Sequence, residues 1–330
     1  YLIGEMIAEL NTGHTYVYGG DHQGGPTRIG TGLLGCDLEA DREHERYRVA
    51  RILPGWNWLE TLVSPLAAPG VDAREGDYLL SIDGQPLTTA ENPYALLVDR
   101  AGDVVELGLG DDPDAVDRTV AVQTLRSEFG LRYRAWVEGN RAHVLEASDG
   151  RIGYLHIPNM MQPGLIEFAS YWYPQTGMEA MIIDERYNGG GFVGDMIIDR
   201  LERELWSLTL PREGLPGRNP ERVFHGPLVV LINEDTGSNG EFFAQAIKEK
   251  DLAHVIGMRT WGGSIGIEPH QDLVDGGVTT PPQFGLYGAR DGAWLIEGWG
   301  VEPDQVVQNW PADVRSEERR VGKECVSECR

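Results

Sequence analysis

The stretch HGPLVVLINEDTGSNGEFFAQAIK, residues His225 to Lys248, decides how the chain is read. Leu228 to Ile232 has the length and the β-branched content of a buried strand. A turn-rich segment follows, and Glu241 to Lys248 then reads as a helix with Phe242, Phe243, Ala246 and Ile247 on one side. A strand, a tight turn and a helix place the turn residue at a helix N-terminus, where unpaired N–H groups and the dipole favour negative charge. Ser238 occupies that junction between Gly237 and Gly240. Two uses fit it. With Glu241 it forms a Ser-x-x-Glu capping box, and it also stands where a serine nucleophile stands beside an oxyanion hole.

Composition narrows the classes. The chain has 330 residues, 41% of them hydrophobic, enough for one large or two ordinary domains. A net charge of −24 argues against nucleic acid and anionic membrane surfaces as partners. No apolar run reaches membrane-spanning length. The first residue is Tyr1, inside a helical pattern, so we expect a piece of a longer protein with no readable signal peptide. Cys36 stands alone, and Cys325 and Cys329 fall in a polar tail, SEERRVGKECVSECR, expected to be non-native or disordered over residues 315–330. A disulfide framework is excluded, and without clustered histidines neither a metal site nor a cofactor is expected.

Along the chain, YLIGEMIAEL reads as a helix and His14 to Tyr18 as a strand, with His14 either a turn residue or a general base. A Gly/Pro/His-rich linker spans residues 21–27. Short strands dominate residues 28–125: GTGLLGCDLE, YRVARILP, a strand before the Asp83-Gly84 hairpin turn, VVELGLG and RTVAVQTL. Helices are expected at SPLAAPG and NPYALLVDRAG. RAWVEGNRAHVLEASDGRIGYLHIPNM reads as successive strands, and GLIEFASYWYP as an amphipathic helix. A buried strand, Ala180 to Asp184, then leads through the glycine run Asn188–Gly191 into another helix. The expected class is α+β: an α/β catalytic domain on residues 1–27 and 126–314, with a largely parallel sheet and a β-rich insertion at 28–125.

SPLAAPGVDAREGDYLLSIDGQPL resembles a PDZ domain, and the run Gly32, Leu33, Leu34, Gly35 resembles its carboxylate-binding loop. GHTYVYGGD, DERYNGGG, LINEDTGSNGEFF and EGWGVEPD, taken with the PDZ-like run, resemble the carboxy-terminal half of tricorn proteases, within the carboxy-terminal processing peptidases. The resemblance runs from Tyr1 to about Pro311. It implies a serine endopeptidase acting on oligopeptides, with Ser238 as nucleophile, His14 as general base and Glu297 supporting the base. It also implies an oxyanion hole from the N–H of Asn239 and one from Gly190 or Gly191. A homo-oligomer (a hexamer in that family), a cytoplasmic location and downstream aminopeptidases as possible partners follow from the same likeness.

Two departures matter. Where tricorn proteins have a serine before the histidine, bridging it to the glutamate, this chain has Gly13. Glu297 is therefore expected within hydrogen-bond reach of His14, directly or through a water or the hydroxyl of Thr12 or Thr15. Tricorn proteins carry β-propellers before this half, and we expect that part to lie outside this piece of the protein. A Ser-Lys mechanism fails, because Gly263 stands where the lysine would be and Lys248 and Lys250 lie on a solvated helix face. The rival from another class is a catalytically degenerate peptide-binding scaffold working through the PDZ-like domain. A structural subunit of a larger shell is the third reading.

Overall fold

Five short runs build a parallel sheet. Ile152–His156, Ala180–Asp184, Leu228–Ile232, His254–Gly257 and Gln305–Val306 lie side by side in that order, each pair of neighbours parallel. The first three are buried almost throughout, as strands covered on both faces must be. This structure, a computed structural model, describes residues 2–21, 29–267, 271–308 and 310. Most of the linker and the whole tail with Cys325 and Cys329 lie outside the described residues.

Helices Gln162–Trp172, Gly194–Leu201 and Asn239–Glu249 connect successive strands of this sheet. Their apolar sides supply Phe168, Trp172, Ile197, Phe243 and Ile247 to one cluster with Ile183, Val230, Ile232 and Val255. Three adjacent strands end at Asp184, Ile232 and Gly257, and the chain leaving each end carries the glycine run, Ser238 and residues 258–265 respectively. Sheet order thus brings three distant pieces of sequence to one edge, where ligands of parallel sheets bind. A separate antiparallel sheet, ordered Tyr16–Gly19, Gly277–Thr280, Gln271–Asp272, holds the chain just after His14.

By its internal contacts the chain divides into residues 24–139 and a unit made of 1–23 with 140–330. The first is an antiparallel sheet in the order Cys36–Asp41, Arg46–Ile52, Tyr78–Ile82, Val104–Gly110, Arg118–Gln123, with Gln85–Pro86 added to Tyr78–Ile82. Leu34, Val49, Leu79, Leu107 and Val122 are among its core. Asp83 and Gly84 both have positive φ, as the two-residue turn expected of Asp-Gly requires. Cys36 is buried with a free thiol, which burial pushes up to about 12.

Three expectations need correction. RAWVEGNRAHVLEA is not strand but the end of a helix, Phe129–Ala147. Its buried positions Leu131, Arg134, Val137 and Val144 follow helical spacing, but a buried arginine stacked on Trp56 hides the period. SPLAAPG forms turns, since Pro65 and Pro69 each remove a helical donor. The segment at Asn92 is one 3₁₀ turn, Pro93–Leu97, capped by the Asn92 side chain on Tyr94 N–H. The first helix does form, as Leu2–Ala8, but buries none of its residues.

Beneath the glycine run lies a buried charge cluster. Arg186 binds Asp184 through Nε to Oδ1 (2.8 Å) and Nη2 to Oδ2 (2.5 Å), and Tyr154 Oη donates to Oδ2 at 2.7 Å. Burial alone would raise the Asp184 carboxyl, but Arg186 outweighs it and holds the group below the usual range. Glu185, also fully buried, is pushed well above that range by burial and by the charge of Asp184. Arg186→Leu should cost about 3–5 kcal/mol near neutral pH, because it strands a buried carboxylate. The native pair's contribution is present above the unfolded carboxyl value and is lost as pH falls through the depressed folded one. In the variant the folded value is instead raised, so the deficit should start to shrink as pH falls through that raised value and keep shrinking below the unfolded value of about 4. Urea unfolding of both proteins across pH checks this; a deficit that grows in acid contradicts it.

Candidate active site

The turn at Ser238 is strained. Its φ of 53° and ψ of −123° lie outside the regions comfortable for an L-residue, at a cost of order 1–3 kcal/mol. Two bonds hold it there: Gly237 N–H donates to Asn188 O (2.9 Å) and Ser238 N–H to Glu241 Oε2 (2.9 Å). The capping box therefore forms, and it sets the serine rather than competing with a chemical use of it. Asn239 opens the helix, and among the described residues its N–H donates no hydrogen bond.

Gly190 lies directly under the serine. A Cβ there would stand 2.5 Å from Ser238 Cβ and 2.9 Å from Asn239 N, and φ is +91°, so only glycine fits. Its N–H, however, already donates to Asn188 Oδ1 at 2.9 Å. Of the two glycines expected to supply an oxyanion donor, Gly191 has the amide that donates no bond among the described residues. Gly190 supplies room instead. Asn188 is fully buried and fixed by Nδ2 to Ile157 O (3.0 Å) and to Glu185 Oε2 (2.7 Å). Asn239 Oδ1 accepts Gly194 N–H at 2.9 Å, which ties the preceding helix, Gly194–Leu201, to the Ser238 turn.

His14 takes a left-handed conformation, φ 59°. Its carbonyl accepts from Thr280 Oγ1 (2.7 Å), which itself accepts Tyr16 N–H (2.8 Å). The ring's Nδ1 lies 2.6 Å from Ile265 O. A carbonyl can only accept, so Nδ1 carries the proton and Nε2 presents the basic lone pair. Trp261 meets the imidazole edge-on at 5.4 Å, and a Cβ on Gly237 would stand 3.0 Å from its Cε3. One indole thus packs against both His14 and the residue before Ser238. No hydrogen bond joins the His14 ring to Ser238.

Glu297 is half-buried, not a surface acid. Its Oε1 accepts Gly13 N–H at 2.6 Å, and its Oε2 accepts Ser264 N–H (2.7 Å) and Ile265 N–H (2.8 Å). The expected bond to His14 is not made, and neither threonine bridges. Thr15 Oγ1 donates to Thr12 O at 3.2 Å, and Thr12 Oγ1 has no partner among the described residues. The carboxylate is filled by these backbone donors and by the Ser264 hydroxyl at 3.5 Å, and it reaches the imidazole through Gly13 on one side and Ile265 on the other. A Cβ on Gly13 would lie 3.3 Å from Glu297 Oε1 but 2.8 Å from Gly263 Cα, so a side chain there needs that backbone to move. Ile296, buried at φ 70°, aims the glutamate, with its carbonyl accepting Trp299 N–H (2.9 Å) and Gly300 N–H (2.7 Å).

Glu241 was legible only as a cap, yet it does more. Its Oε1 accepts Thr260 Oγ1 and Gly262 N–H, both at 2.6 Å, and its Oε2 accepts Gly263 N–H at 3.1 Å besides Ser238 N–H. Burial pushes this carboxyl above its ordinary range against the pull of those donors. At Gly263 a Cβ would run into the Trp261 ring, so a lysine there has no room. Lys248 and Lys250 pair with Asp304 and Glu202. Among the described residues no cluster of His, Cys, Asp and Glu could hold a metal, and no helix is long and apolar enough to cross a membrane. In the PDZ-like run, Gly32, Leu33 and Gly35 already donate to Leu97 O, Leu125 O and Glu128 Oε1, which leaves Leu34 with the open amide.

Comparison with known proteins places these features in a family. Residues 32–127 match the tricorn protease PDZ domain and residues 151–307 match peptidase family S41. Tricorn protease homolog 1 of Streptomyces coelicolor is 38% identical over 94% of this chain, and the tricorn protease of Thermoplasma acidophilum 36% over 96%. The chain spans 29% of the length of each. The crystal structure of the tricorn protease superposes with a TM-score of 0.88 at 34% identity, over 99% of this chain and 32% of that one. Residues 32–127 are therefore a PDZ domain of the tricorn protease type and residues 151–307 a domain of peptidase family S41.

Proposed function

We propose that the chain is the catalytic core of a serine endopeptidase that hydrolyses oligopeptides through an acyl-enzyme on Ser238. The observation that carries this is the Ser238 turn: a strained serine at a helix N-terminus, followed by the undonated amide of Asn239 and packed against Gly190, whose chain neighbour Gly191 has a second undonated amide. A serine hydroxyl attacks an amide only when a base takes its proton. His14, with Nδ1–H on Ile265 O, presents Nε2 for that step and can later hand the proton to the leaving amine. The two amides accept the negative charge that develops on the carbonyl oxygen, in a site built before the substrate arrives. Glu297 does not touch the imidazole; its part is to fix Gly13 and Ile265 on either side of it.

The scaffold reading draws less support, since the PDZ-like loop spends most of its amides internally. A homo-oligomer and a cytoplasmic location belong to the same proposal. Sedimentation velocity tests the first, and a monomer alone would contradict it.

A fluorophosphonate should label the wild-type chain at Ser238 and leave Ser238→Ala unlabelled. Labelling that survives in Ser238→Ala, or a wild type that is never labelled, defeats the reading. His14→Ala should lower turnover of a peptide ester by about 10³-fold or more with the fold intact, as loss of a triad member does. Near-native rates would remove His14 from the chemistry.

A further inference from the structure

Residues 262–265 run through the site without regular secondary structure, and their amides have unusual partners. Gly262 and Gly263 donate to Glu241, and Ser264 and Ile265 donate to Glu297. Four consecutive N–H groups are thus held by two carboxylates and by no backbone carbonyl. Each carboxylate also holds one end of the chemistry. Glu241 Oε2 takes the N–H of Ser238, and Glu297 Oε1 takes the N–H of Gly13, next to His14. The strap itself ends on Ile265, whose carbonyl orients the imidazole.

Other contacts tie the two anchor segments together. Thr260 Oγ1 donates to Glu241 and accepts Val301 N–H at 2.7 Å, and Gly298 N–H donates to Gly262 O at 2.9 Å. The strap and the His14 turn are in backbone contact, given the 2.8 Å between a Cβ on Gly13 and Gly263 Cα.

We propose that Glu241 is a positioning residue that works jointly with Glu297, the two holding residues 262–265 as a strap that sets His14 against Ser238. This rests on the Ser238–His14 reading above. A carboxylate suits the task because its two oxygens accept several donors at once, and charged acceptors bind N–H groups about twice as strongly as neutral ones. Glutamine at either position keeps the shape but turns one oxygen into a donor facing N–H groups. The strap would then be released at that end, and releasing the second end would add little.

The test is a double-mutant cycle on the full chain with Glu241→Gln, Glu297→Gln and the pair. The readouts are the rate of fluorophosphonate labelling and kcat and KM on a small peptide ester. Each single change should lower labelling rate and kcat by about 10-fold or more with KM nearly unchanged, and the double should be about as slow as the slower single. Effects that multiply in the double, or a Glu241→Gln protein as fast as wild type, overturn the strap. Should Glu241→Gln fail to fold, Thr260→Val removes one donor to Glu241. It should likewise slow labelling non-additively with Glu297→Gln, and additive slowing counts against the proposal. A wild type that is never labelled overturns the peptidase reading itself, whereas a labelled wild type with an unaffected Glu241→Gln overturns only the strap.

Discussion

The carboxylate of Glu241 is the constraint on which the site depends. It sits buried in the first turn of helix Asn239–Glu249 and receives the amide of Ser238, two amides of the neighbouring loop and the hydroxyl of Thr260. An unpaired carboxylate there would be too costly to bury, so the donors must stay where they are for it to remain charged. That demand runs both ways. The strained serine is held because the carboxylate needs its N–H, and the loop that carries Trp261 is held for the same reason.

Strain recurs at the other members of the site. His14 and Ile296, the residue before Glu297, both have positive φ, which is uncommon for histidine and an outlier for a β-branched side chain. Each is over-determined by its surroundings: His14 by Thr280 and Ile265, Ile296 by a buried side chain and two hydrogen bonds to its carbonyl. Held in this way, the three turns store a few kcal/mol each at most, supplied by the packed sheet beneath. Such pre-set geometry suits a reaction whose charge appears only in the transition state.

Much of this was legible in the sequence, because strand Leu228–Ile232 is a pure apolar run and the glycine-flanked serine follows it directly. The helix Phe129–Ala147 was not, since its inward face includes Arg134, and period counting treats arginine as solvent-facing. Glu297 is legible as a support for His14, but its partners are not. A motif names a side chain and cannot reveal which backbone amides fold round it. The same limit concealed Asn188, whose Oδ1 takes the Gly190 amide, so that of the two glycines Gly191 is the one whose amide donates no bond among the described residues. Glu241 was visible as a cap, and its remaining three donors come from residues 260 to 263, which no local pattern connects to it.

The central claim is that Ser238 reacts between the amides of Asn239 and Gly191. A crystal structure of the phosphonylated chain tests it most directly. The phosphonyl oxygen should lie about 3 Å from both amide nitrogens, with phosphorus bound to Ser238 Oγ and the Gly190 amide still on Asn188. An adduct oxygen bound by Gly190 instead, turned to solvent, or formed on another residue would contradict the account.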